Sequence, residues 1–212
     1  LYSTRDIVVD YKNINGEPNL NLLLVIQKIK KFKPNLILLA NPNSPTGTLI
    51  NSKQLENIIK IAKNNNCFVL IDEAYFPYSK LSFINKVNKY KNLIIVRSLK
   101  AFGLSGMRVG YLISNVDLIE KISSYRPLYE INSLGAFLFL KLLKNYSIVK
   151  KSVNRLLSDK NYFTFELKKR NIEFIKSYGN FIHIKIKKNR EKILKNISKK
   201  LYIRNNETHN SL

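Results

Sequence analysis

The segment Ser98-Leu-Lys-Ala-Phe-Gly-Leu-Ser-Gly-Met-Arg-Val-Gly-Tyr111 decides how the rest of the chain is interpreted. It places Lys100 shortly after an apolar run, with Arg108 further along and glycines between the two. A lysine at the carboxyl end of a strand can be held partly desolvated, which favours the neutral amine that forms a Schiff base with an aldehyde. Glycines suit a tight turn that approaches an anion, and Arg108 would clamp that anion. The segment fits a pocket for pyridoxal phosphate, although a lysine before a turn is also commonly a solvated surface residue.

A second apolar run, Cys67-Phe-Val-Leu-Ile-Asp-Glu-Ala-Tyr75, ends in acidic residues and is typical of a buried parallel strand. Asp72 would then lie at the carboxyl end of a strand, where open parallel sheets bind ligands. A carboxylate there suits the ring nitrogen of pyridoxal phosphate, because an ionised partner keeps the pyridinium protonated. Tyr75 could hydrogen-bond the phenolic oxygen of the cofactor. The alternatives are a carboxylate that caps the next turn and an ordinary half-buried tyrosine.

A third segment, Ala40-Asn-Pro-Asn-Ser-Pro-Thr-Gly47, follows the apolar run Leu36 to Leu39. Its two prolines and its glycine indicate a loop, so that three successive strand ends carry polar or ionisable groups. Together, the three segments resemble the class I/II pyridoxal-phosphate-dependent aminotransferases. Within that family they are most similar to the branch of histidinol-phosphate aminotransferases, which also contains threonine-phosphate decarboxylases.

The resemblance implies a role for each matching residue. Lys100 would be the Schiff-base lysine and would later carry a proton between the substrate's α carbon and C4′ of the cofactor. Asp72 would pair with the ring nitrogen, Tyr75 with the phenolic oxygen and Arg108 with the phosphate. The resemblance also implies a small-molecule amino donor, a keto acceptor and a homodimer.

Two positions depart from the pattern of the family. The family commonly has Asn directly before Pro-Thr-Gly, whereas this chain has Ser44 there, preceded by Asn43, and either side chain could meet the phenolic oxygen. The family often has Ser directly before the lysine, whereas this chain has Leu99 there. Ser98, one place earlier, is the candidate for a hydroxyl contact to the phosphate.

The segment Arg126-Pro-Leu-Tyr-Glu-Ile-Asn-Ser-Leu134 resembles the part of the family that returns to the active site before a long helix. Tyr129 and Asn132 would then line the substrate pocket. The alternative is a loop that enters a helix, with Asn132 or Ser133 as its N-cap. By resemblance the substrate is small and phosphorylated, and decarboxylation of a phosphorylated amino acid is the second reaction that the same residues would support.

The order of apolar runs predicts an α/β fold with a mainly parallel sheet between helices, followed by a partial α+β unit. The resemblance makes the first part the aminotransferase large domain, over residues 1–148, and makes residues 149–212 a linking helix and a truncated small domain. We expect a strand over Ile7–Asp10 and a helix over Pro18–Phe32. Asn51 with Gln54 predicts a capping box that opens the next helix.

The formal net charge of +23 would ordinarily suggest a nucleic-acid partner. The lysines are nevertheless spread along the whole chain and are accompanied by no nucleic-acid-binding motif, so that most basic runs are expected to be solvated faces. A non-catalytic basic module that binds nucleic acid is therefore the remote alternative. Because the chain does not begin with Met and lacks segments that the family possesses, it is interpreted as a fragment.

Cys67 is the only cysteine, which excludes an internal disulfide and a cysteine-based metal site. The two histidines, His183 and His209, are too far apart in sequence to suggest a metal pair. No apolar run is long enough to span a membrane, and no signal peptide is recognised. The sequence therefore predicts a cytoplasmic protein with no metal and no membrane contact.

Overall fold

A computed structural model describes residues 5–14, 17–186, 189–201 and 203 of the chain. In the first part of the chain the elements are β1 (Tyr11–Ile14), β2 (Glu17–Leu20), α1 (Leu22–Phe32), β3 (Leu36–Ala40), α2 (Ser52–Asn64), β4 (Phe68–Asp72), the short α3 (Phe76–Ser79), β5 (Leu93–Ser98) and β6 (Gly110–Ile113). The remaining elements are α4 (Val116–Ser123), α5 (Ser133–Lys144), α6 (Tyr146–Lys169), β7 (Phe174–Ile175), β8 (His183–Ile184) and α7 (Arg190–Ser198).

The central sheet has the strand order β3-β4-β5-β6. Strands β3, β4 and β5 are parallel, whereas β6 runs antiparallel to β5. In this register Ala40 is the partner of Asp72, and Asp72 is the partner of Val96. The carboxyl ends of the three parallel strands therefore meet at one edge of the sheet, where the three polar segments follow them.

Helices α1 and α2 cover one face of this sheet and form its main core. The apolar side of α2 is fully buried and packs with alternate residues of the central strands, for example Val69 and Leu93. The predicted capping box opens α2, because the amide of Gln54 donates to Asn51 Oδ1 over 3.0 Å and the amide of Asn51 donates to Gln54 Oε1 over 3.2 Å. This cap satisfies two amides at the helix start that have no partner within the helix.

A second cluster of buried side chains joins α6 to the sheet edge. Val149 and Val153 of α6 pack with Tyr75, Tyr78 and Ala101, which lie just after β4 and β5. The long helix α6 is continuous from Tyr146 to Lys169, so the predicted division between residues 148 and 149 falls inside it. That division stays a prediction.

The beginning of the chain differs from what its sequence predicts. Residues 7–10 are not a strand, and residues 17–20 pair with 11–14 instead of opening a helix. Helix α1 begins only at Leu22, because Asn21 Oδ1 accepts a hydrogen bond from the amide of Leu24 over 3.1 Å and so acts as the N-cap. The spacing of apolar residues correctly predicts helix α1, but the N-cap Asn21 decides the residue at which the helix begins.

Among the described residues, none of the helices is both long enough and apolar enough to cross a membrane.

The segment before β8 approaches the loop after β3 very closely. The amide of Tyr178 donates to the carbonyl oxygen of Gly47 over 2.8 Å. Gly47 has a φ of +74°, and a Cβ atom placed on it would lie 2.3 Å from the hydroxyl oxygen of Ser177. Only glycine allows both this backbone conformation and this contact.

We predict that Gly47→Ala destabilises the protein more than Gly103→Ala does. Gly103 has a similar φ of +78° but has no atom within 4 Å of the position of an added Cβ. Gly103→Ala should cost only the left-handed conformation, about 1–2 kcal/mol. Gly47→Ala should add a steric cost of about 1–3 kcal/mol. Urea unfolding of both variants tests this, and equal losses of unfolding free energy would contradict the close approach.

Candidate functional site

The Lys100 side chain projects from a short turn at the end of β5. Leu99 is buried and anchors this turn, which runs from Leu99 to Phe102 as a 3₁₀-helix, whereas Lys100 itself is exposed. The Nζ atom of Lys100 lies 4.8 Å from the centroid of the Tyr75 ring, within the range of a cation–π contact. Two residues that the sequence analysis selected from different segments are thus neighbours.

Asp72 ends the neighbouring strand β4 and is half-buried. One of its oxygens, Oδ1, accepts a hydrogen bond from the amide of Ala74 over 2.8 Å, so the carboxylate does cap the following turn. Within the described part of the chain, the other oxygen, Oδ2, has no hydrogen-bond donor. The capping role and a role towards a ligand are therefore compatible.

Tyr75 is buried, and its ring makes an edge-to-face contact with the ring of Phe181 at a centroid distance of 5.5 Å. Phe181 makes a similar contact with the ring of His183, whose Nε2 atom hydrogen-bonds the carbonyl oxygen of Pro45. This row of rings connects Tyr75 to the loop after β3.

Arg108 lies close to Lys100 because the pairing of β5 with β6 continues beyond the strands. Ser98 is the partner of Gly110, and the amide of Leu99 donates to the carbonyl oxygen of Val109 over 3.1 Å. Arg108 is exposed and has a φ of +57°. Across residues 5–14, 17–186, 189–201 and 203, its guanidinium has neither an ion-pair partner nor a hydrogen-bond acceptor, so it is free to bind an anion.

The loop after β3 is held by a buried asparagine. Asn41 is fully buried, and its side chain accepts from the amide of Ile50 over 2.7 Å and donates to the carbonyl oxygen of the same residue over 3.2 Å. Asn43 is half-buried and donates to Thr46 Oγ1 over 2.7 Å, whereas Ser44 is exposed. Asn43 and Ser44 both stay candidates for the predicted contact to the phenolic oxygen.

The other predicted residues differ in their surroundings. Ser98 is half-buried, and its hydroxyl accepts from the amide of Lys100. Asn132 is the N-cap of α5, with its Oδ1 accepting from the amide of Gly135 over 2.7 Å, and its Nδ2 donates to the carbonyl oxygen of Met107 next to Arg108. Tyr129 is 98% exposed, and no ring contact or hydrogen bond joins it to the described residues of the site.

A buried ion pair lies directly behind the site. Glu73 follows Asp72 and is 2% exposed, and its Oε2 accepts from Arg97 Nη2 over 2.8 Å and from the hydroxyl of Ser82 over 2.8 Å. Its Oε1 accepts from the amide of Phe83 over 2.7 Å. The guanidinium of Arg97 also stacks on the Phe76 ring at 3.8 Å. These contacts tie the end of β4 to the end of β5, the two strands that precede Asp72 and Lys100.

A half-buried lysine holds the segment that packs on the loop after β3. Lys160 of α6 donates to the carbonyl oxygens of Ser177 and Gly179, the second over 2.7 Å. Burial lowers the pKa of its ammonium group. Burial thus disfavours the charged form of Lys160, whose amine is engaged by the backbone.

The sequence analysis did not select Glu73, Arg97 or Lys160. The ion pair could have been predicted from the sequence, because Arg97 interrupts an apolar strand and a charge inside a protein requires a partner. Glu73, which follows a second buried strand, was the available carboxylate. Lys160 gave no signal, since it is one of many lysines on an amphipathic helix.

The chain was also compared with known proteins. The family model described as "Aminotransferase class I and II" matches residues 8–209. The histidinol-phosphate aminotransferase of Thermoanaerobacter sp. (strain X514) is 39% identical over 145 residues, which are 68% of this chain and 40% of that protein. The chain therefore spans less than half of the length of this curated relative.

Solved structures share the fold of this chain. The histidinol-phosphate aminotransferase from Clostridium acetobutylicum superposes with a TM-score of 0.75 and 25% sequence identity, over 85% of this chain and 56% of that one. The structure of a histidinol-phosphate aminotransferase from Sinorhizobium meliloti in complex with pyridoxal-5′-phosphate superposes with a TM-score of 0.71 and 19% identity, over 81% of this chain and 48% of that one.

We predict that Glu73→Gln lowers the free energy of unfolding by about 3–5 kcal/mol, because it leaves the buried charge of Arg97 without its partner. Asp117→Asn is the matched control, since Asp117 pairs with Lys91 just before the other end of β5 and both side chains are exposed. The control should lose only a small fraction of that energy. Urea unfolding measures both variants, and similar losses would show that the buried pair does not stabilise the fold.

Proposed function

Because the chain belongs to the aminotransferases of class I and II, we propose that it forms part of a pyridoxal-phosphate-dependent aminotransferase. The inferences from sequence that the comparisons confirm include membership of this family, the α/β fold and pyridoxal phosphate as the cofactor of the family. The observation that carries the proposal for this chain is the convergence of Lys100, Asp72 and Tyr75 at one edge of the parallel sheet.

The residues at this edge fit the groups of pyridoxal phosphate. Lys100 offers an exposed amine, Asp72 a carboxylate oxygen without a donor from the described residues, and Arg108 a guanidinium without a partner there. These are one nucleophile, one anion for the ring nitrogen and one cation for the phosphate. Ser98 and Asn43 or Ser44 are proposed as further contacts to the phosphate and the phenolic oxygen.

When bound, pyridoxal phosphate supplies an aldehyde and a cationic ring that stabilises the negative charge left at the substrate's α carbon after proton loss. Asp72 is proposed to hold the proton on the ring nitrogen. Lys100 is proposed to take the proton from the α carbon and to return it at C4′. The Tyr75 ring, 4.8 Å from Nζ, attracts the ammonium that carries this proton, and its hydroxyl is available to the phenolic oxygen.

The proposed substrate is a small phosphorylated amine, such as histidinol phosphate. The support is the 39% identity to a histidinol-phosphate aminotransferase, together with the net charge of +23, which attracts anionic substrates. A keto acid would accept the amino group. Tyr129 and Asn132 stay predicted substrate contacts, although both polar atoms of the Asn132 side chain already have partners, since Oδ1 caps α5 and Nδ2 donates to the carbonyl oxygen of Met107.

Decarboxylation of a phosphorylated amino acid is the second reaction that the same three residues support. It differs in the bond of the α carbon that is broken, which depends on how the substrate is oriented. Release of carbon dioxide distinguishes decarboxylation from transamination.

We further propose that the protein is a homodimer. One stripe of α5 carries Leu134, Phe137 and Leu140, all exposed, and further exposed apolar side chains precede this helix. Exposed apolar surface of this kind marks an interaction site. Sedimentation velocity of the protein expressed from its complete gene should give a dimer, and Leu140→Glu should give monomer, whereas a monomeric wild type would contradict the assembly.

A cytoplasmic location is proposed from the single, unpaired Cys67.

The function is tested by one half-reaction, in which the amino group passes from the donor to the bound cofactor. The protein expressed from its complete gene is loaded with pyridoxal phosphate and mixed with L-histidinol phosphate, and the loss of the visible absorbance band is followed in a single turnover. We predict that Lys100→Arg slows this reaction by about 10²–10⁴-fold, because a guanidinium does not exchange the proton. Lys121→Arg, at an exposed lysine of α4, is the control and should react like the wild type.

Equal rates for Lys100→Arg and the wild type would overturn the role of Lys100. A wild type that leaves L-histidinol phosphate unreacted but releases carbon dioxide from L-threonine phosphate would favour the decarboxylase. A wild type that reacts with neither compound would contradict the proposed substrate class.

A further inference from the structure

Tyr78 lies behind the Lys100 turn and is not among the residues that the resemblance selects. It belongs to α3, the short helix that follows Asp72 and Tyr75, and it is buried. Its hydroxyl donates a hydrogen bond to the carbonyl oxygen of Ala101 over 2.5 Å. Ala101 is the residue directly after Lys100, so this hydroxyl contacts the backbone that carries the lysine.

The segment that carries Asn180 and Phe181 lies next to Tyr78. Burial raises the pKa of Tyr78, and the side chain of Asn180 opposes that shift. Asn180 lies between the Ser177–Gly179 turn held by Lys160 and Phe181, whose ring packs on Tyr75. Tyr78 therefore lies between the Lys100 turn, which its hydroxyl contacts, and the segment that packs on Tyr75.

The Lys100 turn needs such support from outside. It is a single 3₁₀ turn, in which the carbonyl oxygens of Leu99 and Lys100 accept from the amides of Leu104 and Gly103 over 3.2 Å each. Hydrogen bonds of 3₁₀ geometry are poorer than those of an α-helix, so a single turn of this kind is held only weakly by its own hydrogen bonds. The bond from Tyr78 fixes the carbonyl of Ala101, the residue after Lys100, and so holds the turn from which the Lys100 side chain projects.

We propose that Tyr78 is a positioning residue for the amine of Lys100. Its hydroxyl holds the Ala101 carbonyl and so fixes the Lys100 turn relative to α3, the helix that follows Asp72 and Tyr75. The proposal rests on the proposed function in one respect, since the reaction it supports is the proton transfer by Lys100. The order that Tyr78 imposes on the turn does not depend on the cofactor.

A purely structural role for Tyr78 makes a different prediction. The Tyr78 ring packs in the cluster with Val149 and Val153, and Phe would preserve that packing. If packing were its only role, Tyr78→Phe would change overall stability and leave the turn and the reaction as they are. Removing the hydroxyl alone therefore separates the two roles.

Tyr90→Phe is the matched control. Tyr90 is also a buried tyrosine whose hydroxyl donates one hydrogen bond, to Glu56 Oε1 over 2.6 Å, but it belongs to the core of α2 and the sheet, away from Lys100. Both variants remove the hydroxyl of a buried tyrosine and the one hydrogen bond that it donates. They differ in what that bond holds.

The first measurement is hydrogen exchange of the cofactor-free protein, expressed from its complete gene and followed by mass spectrometry for the peptide covering residues 99–104. We expect Tyr78→Phe to accelerate exchange of this peptide about fivefold, the factor that corresponds to one lost hydrogen bond. Tyr90→Phe should leave it unchanged.

The second measurement is the half-reaction with L-histidinol phosphate as a function of its concentration. In Tyr78→Phe the limiting rate should fall about fivefold, and the half-saturating concentration should stay that of the wild type, because the amine is displaced and the substrate contacts are not. In Tyr90→Phe both quantities should match the wild type.

Unchanged exchange of residues 99–104 in Tyr78→Phe, or the same acceleration in Tyr90→Phe, would overturn the proposal. A limiting rate equal to that of the wild type would overturn it as well. If the wild type itself gives no half-reaction, the proposed function fails, and the exchange measurement alone then decides whether Tyr78 orders the Lys100 turn.

Discussion

The parallel register of β3, β4 and β5 determines where the candidate site forms. Because Ala40 pairs with Asp72 and Asp72 pairs with Val96, β3 and β4 end at the same level of the sheet and β5 ends two residues further on. A shift of one residue would turn every side chain of a strand to the opposite face, so this register also fixes which side chains enter the core. The loop after β3, the Asp72 carboxylate and the Lys100 turn meet at one edge for this reason.

The charges at that edge fall into two groups with different surroundings. Glu73 is buried and Arg97 is half-buried, and their ion pair, which Ser82 supports, holds the two strand ends together. Lys100 and Arg108 are exposed and have no carboxylate partner among the residues that the structure describes. At this edge, the charges of Glu73 and Arg97 stabilise the fold and neutralise each other. The amine of Lys100 and the guanidinium of Arg108 are the groups that an aldehyde and a phosphate would engage.

How much of this could be predicted from the sequence depended on the range of the interaction. Local patterns predict the central strands β3, β4 and β5 and the capping box at Asn51, and the structure has these elements in place. The same patterns place Asp72 at the end of β4 and Lys100 just after β5, where the structure has them. The β1–β2 pair was missed because strand pairing is a contact between residues that no local apolar alternation marked. The Tyr78–Ala101 bond spans two separate segments and leaves no mark in either.

Borohydride reduction of the cofactor-loaded protein, followed by mass mapping of the labelled peptide, identifies the lysine that holds the cofactor. Two lysines are instructive: Lys100 is exposed beside Tyr75, and Lys160 has a pKa lowered by burial but donates to two carbonyl oxygens. If the sheet edge is the cofactor site, the label is found on Lys100. A label on Lys160, or spread over surface lysines, would contradict the account.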